Sequence, residues 1–283
     1  MKVALVVGGT NTTCALFSGN KIIKKIERFT FPDKGTKFMI TNILEMIEEF
    51  RGNRKISGIG LGVPGPVDKK RGVLLNSPNI PLKNYPLKKT IQKKFRTKVE
   101  IENDAKCAAL GVLQIEKTKN FFLITLGTGL GGAVVIDRKL YTGIGSAGEF
   151  GHMTIEKSGF RCNCGNRGCL EVYVAARAFE RLASKYFGKK LGPKELEKLA
   201  KKGNKRAKRI YNEVGEYLGI GLANIGNAFN PPVIYFTGKI IRAGPLLFRP
   251  AERERRKRII VKPPKLKIAD EDAELYGAAS LIK

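Results

Sequence analysis

The sequence predicts an α/β fold pinned by a structural metal knot. Three observations point there. Strand-length apolar runs recur along the chain, and two of them, Lys2–Val7 and Asn120–Leu126, lead into loops rich in glycine and threonine. Elsewhere, apolar residues fall at helical spacing, as at Ile40, Ile43, Leu44, Ile47 and Phe50. Finally, the stretch from Glu149 to Glu171 holds the chain's single histidine, His152, together with Cys162, Cys164 and Cys169.

One imidazole and three thiolates make a complete tetrahedral ligand set for zinc. They leave no fourth position for water, so the predicted site is structural rather than hydrolytic. A disulfide pair and three unrelated thiols are the competing readings. The disulfide fits poorly, because three clustered cysteines leave one over and the chain reads as intracellular. After Lys2 comes only a short apolar run and then Gly8-Gly9-Thr10, unlike a signal peptide, and no run approaches the ~18 apolar residues of a membrane span. The expectation is a cytoplasmic protein with no membrane partner.

A chain of 283 residues is long enough for one large or two modest domains, and its 42% hydrophobic content is ordinary for a globular protein. Charge is the odd feature: 53 Lys and Arg against 25 Asp and Glu give a formal net charge of +28. Such a field attracts nucleic acid, anionic membrane, polyphosphate or a nucleotide. A solubilising surface is the simpler reading for most of it. The lysines are spread along the chain, and only Arg253, Arg255, Arg256, Lys257 and Arg258 form a dense block. No aromatic residues interleave a basic platform, so single-strand stacking is not supported and no specific nucleic-acid partner is expected.

In chain order, Lys2–Val7 reads as a buried strand, Cys14–Ser18 as a second, and Gly19-Asn20 as a hairpin turn into a third, Lys21–Phe29. The loop Gly8-Gly9-Thr10-Asn11-Thr12 offers backbone N–H groups and hydroxyls that can cradle phosphate, although a plain hairpin turn would use the same residues. A helix over the Ile40–Phe50 stripe follows. Then a strand, Ile56–Val63, runs into Gly62-Val63-Pro64-Gly65-Pro66, a common ligand edge in an α/β sheet. The loop-rich region continues through Ser77-Pro78-Asn79-Ile80-Pro81. Leu87, Ile91 and Phe95 mark a short helix, and Lys98–Ile101 a strand that ends at Glu102-Asn103-Asp104-Ala105. There Asn and Asp can cap a helix, or Asp104 can emerge from a strand end to accept a hydroxyl proton.

Strand Asn120–Leu126, loop Gly127-Thr128-Gly129-Leu130-Gly131-Gly132 and strand Ala133–Ile136 repeat the opening pattern and suggest two related halves. Past the cysteines, Ile210, Val214, Leu218, Leu222, Ile225 and Phe229 form a long helical stripe, stopped by Pro231-Pro232. Val233–Thr237 reads as a strand ending at Gly238. Pro245–Arg258 looks helical, with a break or kink expected at Pro250, because a proline in a helix interior costs ~3 kcal/mol. Glu271–Ile282 closes as a helix whose Gly277-Ala278-Ala279 permits close packing.

The order of these motifs resembles the ROK family of sugar kinases (glucokinase and N-acetylmannosamine kinase-like) within the actin/hexokinase ATPase superfamily, over nearly the whole chain. Its most specific part is Gly148-Glu149-Phe150-Gly151-His152 with Cys162-Asn163-Cys164-Gly165-Asn166-Arg167-Gly168-Cys169-Leu170-Glu171. The resemblance implies an α/β, two-domain actin-like ATPase (ribonuclease H-like) fold with a structural zinc site. Residues 1–108 with 270–283 would form the smaller N-terminal domain, completed by the C-terminal helix, and 109–269 the larger domain with the zinc motif. It also implies transfer of the γ-phosphoryl group of ATP, with magnesium, to a hydroxyl of a hexose or N-acetylhexosamine. Asp104 would be the general base. Gly65, Asn79, Asn103, Glu149, His152 and Glu171 would hold the sugar, and Gly9, Thr10, Thr128, Gly129 and Gly238 the nucleotide. His152, Cys162, Cys164 and Cys169 would ligate zinc, with the second imidazole nitrogen of His152 donating to the sugar. Homodimers are usual in the family.

The resemblance breaks at two positions on the donor side. The family's aspartate two residues before the glycine pair is here Val6, which removes a carboxylate that helps hold the magnesium shell. The usual Gly-Gly near the C-terminus is here Gly238-Lys239, where the lysine either crowds the adenosine site or contacts phosphate. Two further readings therefore stand beside the ATP-dependent kinase: a sugar-binding pseudokinase or sensor, and a kinase that uses polyphosphate. The DNA-binding repressor branch of the family carries an added helix-turn-helix domain, and it is not expected here because the kinase-like fold starts at Lys2.

Overall fold

The computed structural model describes every residue except Pro78, so that part of the predicted Ser77–Pro81 loop lies outside the described residues. Two compact units emerge: Met1–Lys119 with Arg138–Leu140 and Asp270–Lys283, and Asn120–Asp137 with Tyr141–Ala269. The chain runs through β1 (Lys2–Val7), β2 (Asn11–Ser18), β3 (Lys21–Phe29), α1 (Gly35–Arg51), β4 (Gly58–Val63), β5 (Val67–Asp68) and β6 (Val73–Leu74). Next come α2 (Leu87–Phe95), β7 (Val99–Asn103), α3 (Asp104–Ile115), β8 (Phe121–Leu126), β9 (Leu130–Ile136) and β10 (Lys139–Tyr141). It continues with α4 (Glu171–Val174), α5 (Ala176–Phe187), α6 (Pro193–Lys201) and α7 (Lys205–Phe229). The last elements are β11 (Val233–Thr237), α8 (Pro245–Arg258), β12 (Lys265–Ile268) and α9 (Ala273–Ser280).

In the first unit the sheet order is β3-β2-β1-β4-β7, antiparallel between β3, β2 and β1 and parallel from β1 through β4 to β7. Period-two alternation decides what each face of β1 buries. Val3, Leu5 and Val7 pack with Met39, Ile43 and Phe50 of α1 and Ile91 of α2. Ala4 and Val6 face the other way, into Ala15, Phe17, Cys107, Leu275 and Ala278. That second face is lined by small residues, which lets α3 and α9 come backbone to backbone. A Cβ at Gly111 would stand 1.7 Å from the carbonyl oxygen of Ala273, and one at Gly277 the same distance from that of Cys107. Because β1, β4 and β7 are parallel, their C-terminal ends bring Gly8, Pro64 and Asp104 to one edge of the sheet.

The second sheet, whose strands apart from β10 lie in the second unit, follows the same plan, β10-β9-β8-β11-β12, with β8 antiparallel to β9 and parallel to β11, and β11 parallel to β12. The two halves thus share strand order as well as the glycine-rich loop. Its core gathers Ile124, Leu130, Phe179, Tyr211, Leu218 and Phe236 around the long α7.

Three sequence expectations shift, and three elements were not expected. Helix α8 continues unbroken through Pro250. The proline ring is buried against α7, so close to Gly215 that a Cβ there would lie 2.5 Å from Pro250 Cγ, and this packing offsets the lost backbone bond. Strand β2 begins at Asn11, which shortens the first loop to Gly8–Thr10, and β9 begins at Leu130, which shortens the second to Gly127–Gly129. Elements α5, α6 and β12 are not evident from the sequence pattern. Strand β12 is Lys-Leu-Lys-Ile with a single half-buried residue, too short and too charged to read as a strand. No helix among the described residues is long and apolar enough to cross a membrane.

Candidate active site

In the first unit the predicted residues gather on the sheet edge just described. Strand β7 delivers Asn103 as the N-cap of α3: its Oδ1 accepts the Lys106 N–H at 3.2 Å. The capping role and a role at the site do not exclude each other. Asn103 Nδ2 donates both to the Gly65 carbonyl at 3.2 Å and to Asp104 Oδ1 at 3.0 Å, while the Ala105 N–H donates to the same Asp104 oxygen at 2.8 Å. Asp104, half-buried, is thereby held by two donors at the positive end of a helix. Gly65 sits at φ +106°, and a Cβ there would lie 2.2 Å from the Asn76 carbonyl oxygen, so only glycine fits.

The Gly8–Thr10 loop is clamped from β3's end. The Thr30 hydroxyl donates to the Gly8 carbonyl at 2.7 Å, the Thr30 N–H to the Thr10 carbonyl at 2.8 Å, and the buried Thr12 and Thr30 hydroxyls meet at 3.1 Å. Gly9 faces Asn79, whose Cβ would be 3.0 Å from a Cβ on Gly9. Val6, one residue before the end of β1, packs into the apolar face beside Cys107, whose thiol burial keeps well above its usual pKa and so uncharged.

Sequence reasoning gave no role to Glu102, Lys69 or Thr30. Glu102 is buried at the end of β7. Its Oε1 accepts the Asn103 N–H at 2.9 Å, and its other oxygen pairs with the Lys69 ammonium. A carboxylate directly before Asn103-Asp104 was the one available signal; for Lys69 and Thr30 there was none.

In the second unit, His152 and the three cysteines converge, with their ligand atoms all within 4.8 Å of one another. Cys162 Sγ lies 3.7 Å from His152 Nδ1, and Cys164 Sγ 3.7 Å from Cys169 Sγ. A tetrahedron with Zn–S bonds of about 2.3 Å has edges of about 3.7 Å, so the donor set and its spacing fit zinc. A small ribbon makes this possible: Thr154 bridges Cys169 and Arg161 bridges Arg167, while the Leu170 N–H donates to the Met153 carbonyl at 2.9 Å. Burial pushes the Cys169 thiol up to about 12 and raises that of Cys162, whereas a backbone bond from Asn166 lowers that of Cys164. A bound cation is what would hold all three as thiolates at neutral pH.

The opposite ring nitrogen, His152 Nε2, lies 4.0 Å from a carboxylate oxygen of the exposed Glu149. Glu171 opens α4 and ties the knot to the second glycine loop. Its Oε1 lies 3.9 Å from Cys162 Sγ, and its Oε2 accepts the Leu130 N–H at 2.8 Å. A Cβ at Gly129 would come 2.6 Å from that same oxygen. Thr128 is exposed at the tip of the loop. Gly238 closes β11 at φ +106°, packed on the Leu126 backbone, and Lys239 after it is exposed. Each unit therefore assembles its own share of the predicted residues.

Comparison with known proteins agrees over the full length. The model of the ROK family matches residues 2–283. The glucokinase of Thermotoga maritima is 33% identical over 310 aligned positions, covering 99% of this chain and 96% of that protein. The xylose repressor of Caldicellulosiruptor bescii is 36% identical over 201 positions, 65% of this chain and 50% of the repressor. Among solved structures, a ROK family glucokinase from Streptomyces griseus in complex with glucose and AMPPNP superposes with a TM-score of 0.87, 28% identity, and coverage of 99% and 98% of the two chains.

Proposed function

The chain belongs to the ROK family and is a sugar kinase, and from that premise we propose that it transfers the γ-phosphoryl group of ATP to a hydroxyl of a hexose (glucose-like) or N-acetylhexosamine, with Asp104 as general base. The observation that carries this reading is the Gly65–Asn103–Asp104 arrangement, which fixes a half-buried carboxylate at a strand end on the same sheet edge as the first glycine loop. The Asp104 carboxylate takes the hydroxyl proton; the sugar oxygen forms its bond to the γ-phosphorus as the bond to the β-phosphate bridging oxygen breaks, and ADP leaves. Asn79, Asn103, Gly65, Glu149, His152 and Glu171 orient the sugar through directional donors and acceptors. Backbone N–H groups of Gly9, Thr10 and Gly129, with the Thr128 hydroxyl and the space beside Gly238, receive the donor.

Magnesium, bound with ATP, would neutralise charge on the phosphates. His152, Cys162, Cys164 and Cys169 would hold zinc as a structural clamp on the Arg161–Glu171 loop, keeping Glu149 and Glu171 in place. The domains expected at 1–108 with 270–283 and at 109–269, a homodimeric assembly and a cytoplasmic location where ATP is available complete the proposal.

Asp104→Asn tests it. Transfer should fall by about 10²–10⁴-fold in kcat while sugar affinity, measured by calorimetry, stays within a few-fold; joint loss of binding and activity would remove Asp104 from the base role. A second reading is favoured by one observation, the apolar burial of Val6 where the family carries an aspartate. It is a sugar-binding protein with weak transfer, or a kinase that uses polyphosphate. A coupled assay over a panel of sugars, with ATP and polyphosphate as parallel donors, separates the three.

A further inference from the structure

In the second unit, α8 and β12 flank two adjoining cavities of about 730 Å³ each, which share Phe248, Glu252, Arg256 and Ile268 as walls. That volume is typical of a small-molecule site. None of the residues assigned above to sugar, phosphate or zinc lines either cavity among the described residues.

The walls combine two chemistries. The floor is apolar: the Phe248 ring packs edge-on against Phe236 at 5.0 Å, and Ile268 is 60% exposed beside it. The rim is cationic: Arg249, Arg253 and Arg256 line it from α8 and Lys262 and Lys265 from the β12 side, with Arg253 also held by Glu216 and Arg256 by Glu252, while the Lys267 ammonium sits over the Tyr235 ring. Glu252 is the acid lining both cavities, and it is already engaged by Arg255 and Arg256. Its charge is offset by those two guanidinium groups, and the other cationic residues on the rim leave the groove net positive.

Arg255 supplies the second, independent sign. It lines one cavity yet is only 4% exposed. One terminal nitrogen donates to the Pro264 carbonyl at 2.7 Å and the other pairs with Glu252. Its Nε–H has no hydrogen-bond partner among the described residues. A buried guanidinium donor left unpaired marks a place that a ligand or ordered solvent completes.

We propose that the α8–β12 groove is a second nucleotide site, one that takes a nucleoside polyphosphate with its base on Phe248 and Ile268 and its phosphates on the arginine and lysine rim. A flat ring with an apolar face suits the floor, and phosphate oxygens suit forked guanidinium donors. Inorganic polyphosphate would use the rim and leave the floor uncovered. The site is independent of the phosphoryl-transfer reading.

The test is photolabelling of the full-length protein with 8-azido-ATP, followed by peptide mapping. Saturable label is expected within Pro245–Ile268, displaced by ADP and reduced at least tenfold in the Arg249→Ala/Lys265→Ala double variant. Both of those residues are exposed, so folding is preserved, and sugar phosphorylation at saturating ATP should be unchanged. Ile268→Ser should weaken ADP competition without altering competition by tripolyphosphate. No label in that segment, or label indifferent to the double variant, overturns the proposal. So does tripolyphosphate or duplex DNA competing as well as ADP, which would make the groove a general polyanion surface.

Discussion

The two glycine–threonine loops occupy equivalent places, each joining the antiparallel strands that begin a sheet, yet they are held by opposite means. Gly8–Thr10 is clamped by neutral groups, the Thr30 hydroxyl and backbone, over a strand end where Val6 is apolar. Gly127–Gly129 runs into a charge: the Glu171 carboxylate grips the Leu130 N–H and also stands beside Cys162. The same strand–loop–strand frame thus depends on neutral hydrogen bonds in one half and on an acidic anchor next to the histidine–cysteine cluster in the other. Disturbing the knot should reach the second loop and leave the first untouched.

Removing the metal should have the largest effect. A strong chelator, or Cys164→Ser, is expected to release one zinc per chain and to cost the second unit a sizeable fraction of the about 10 kcal/mol that structural zinc contributes in small metal-dependent domains. Elemental analysis and thermal melts read this directly; purified protein without zinc would refute the site. Glu171→Gln comes next. Losing a charge-assisted bond is worth about 1.5–3 kcal/mol, and because Glu171 touches the loop as well as the knot, KM for sugar and for donor should rise together. A change in the sugar KM alone would uncouple the two.

The first loop is probed by smaller effects. Val6→Asp should raise Mg-ATP turnover by about tenfold, equivalent to roughly 1.4 kcal/mol, while lowering the melting temperature because the new carboxylate enters an apolar face beside Cys107. An unchanged rate would mean that the metal shell is held by other groups. Thr30→Val, worth about 1 kcal/mol for one hydrogen-bonding side chain, should raise the donor KM modestly and leave zinc content and sugar KM alone.

Much of this contrast was legible from residues. The cysteine knot announced itself because few chemistries need one histidine and three cysteines so close in sequence, and the structure gathers those four side chains. Strands β1, β8 and β11 were visible because burial on both faces leaves them almost wholly apolar. The supports were not visible. Thr30, Lys69 and the tie from Glu171 to Leu130 act across 20 to 41 positions of sequence through single hydrogen bonds or ion pairs, and no periodicity records such contacts. Pro250 misled because the rule against interior prolines treats the helix alone, whereas here the ring fills space left by a glycine on α7.

The packing of α9 against α3 and β1 bears on how the molecule is made. The face of Ala4, Val6, Ala15 and Phe17 is covered by Leu275, Ala278 and Ala279, which are synthesised long after it. The second unit ends at Ala269 and has all its strands before α9 exists. At about 5–20 residues per second, that face waits roughly 13–50 s for its cover. During that interval an apolar surface stands open on the nascent chain, a natural target for a ribosome-associated chaperone.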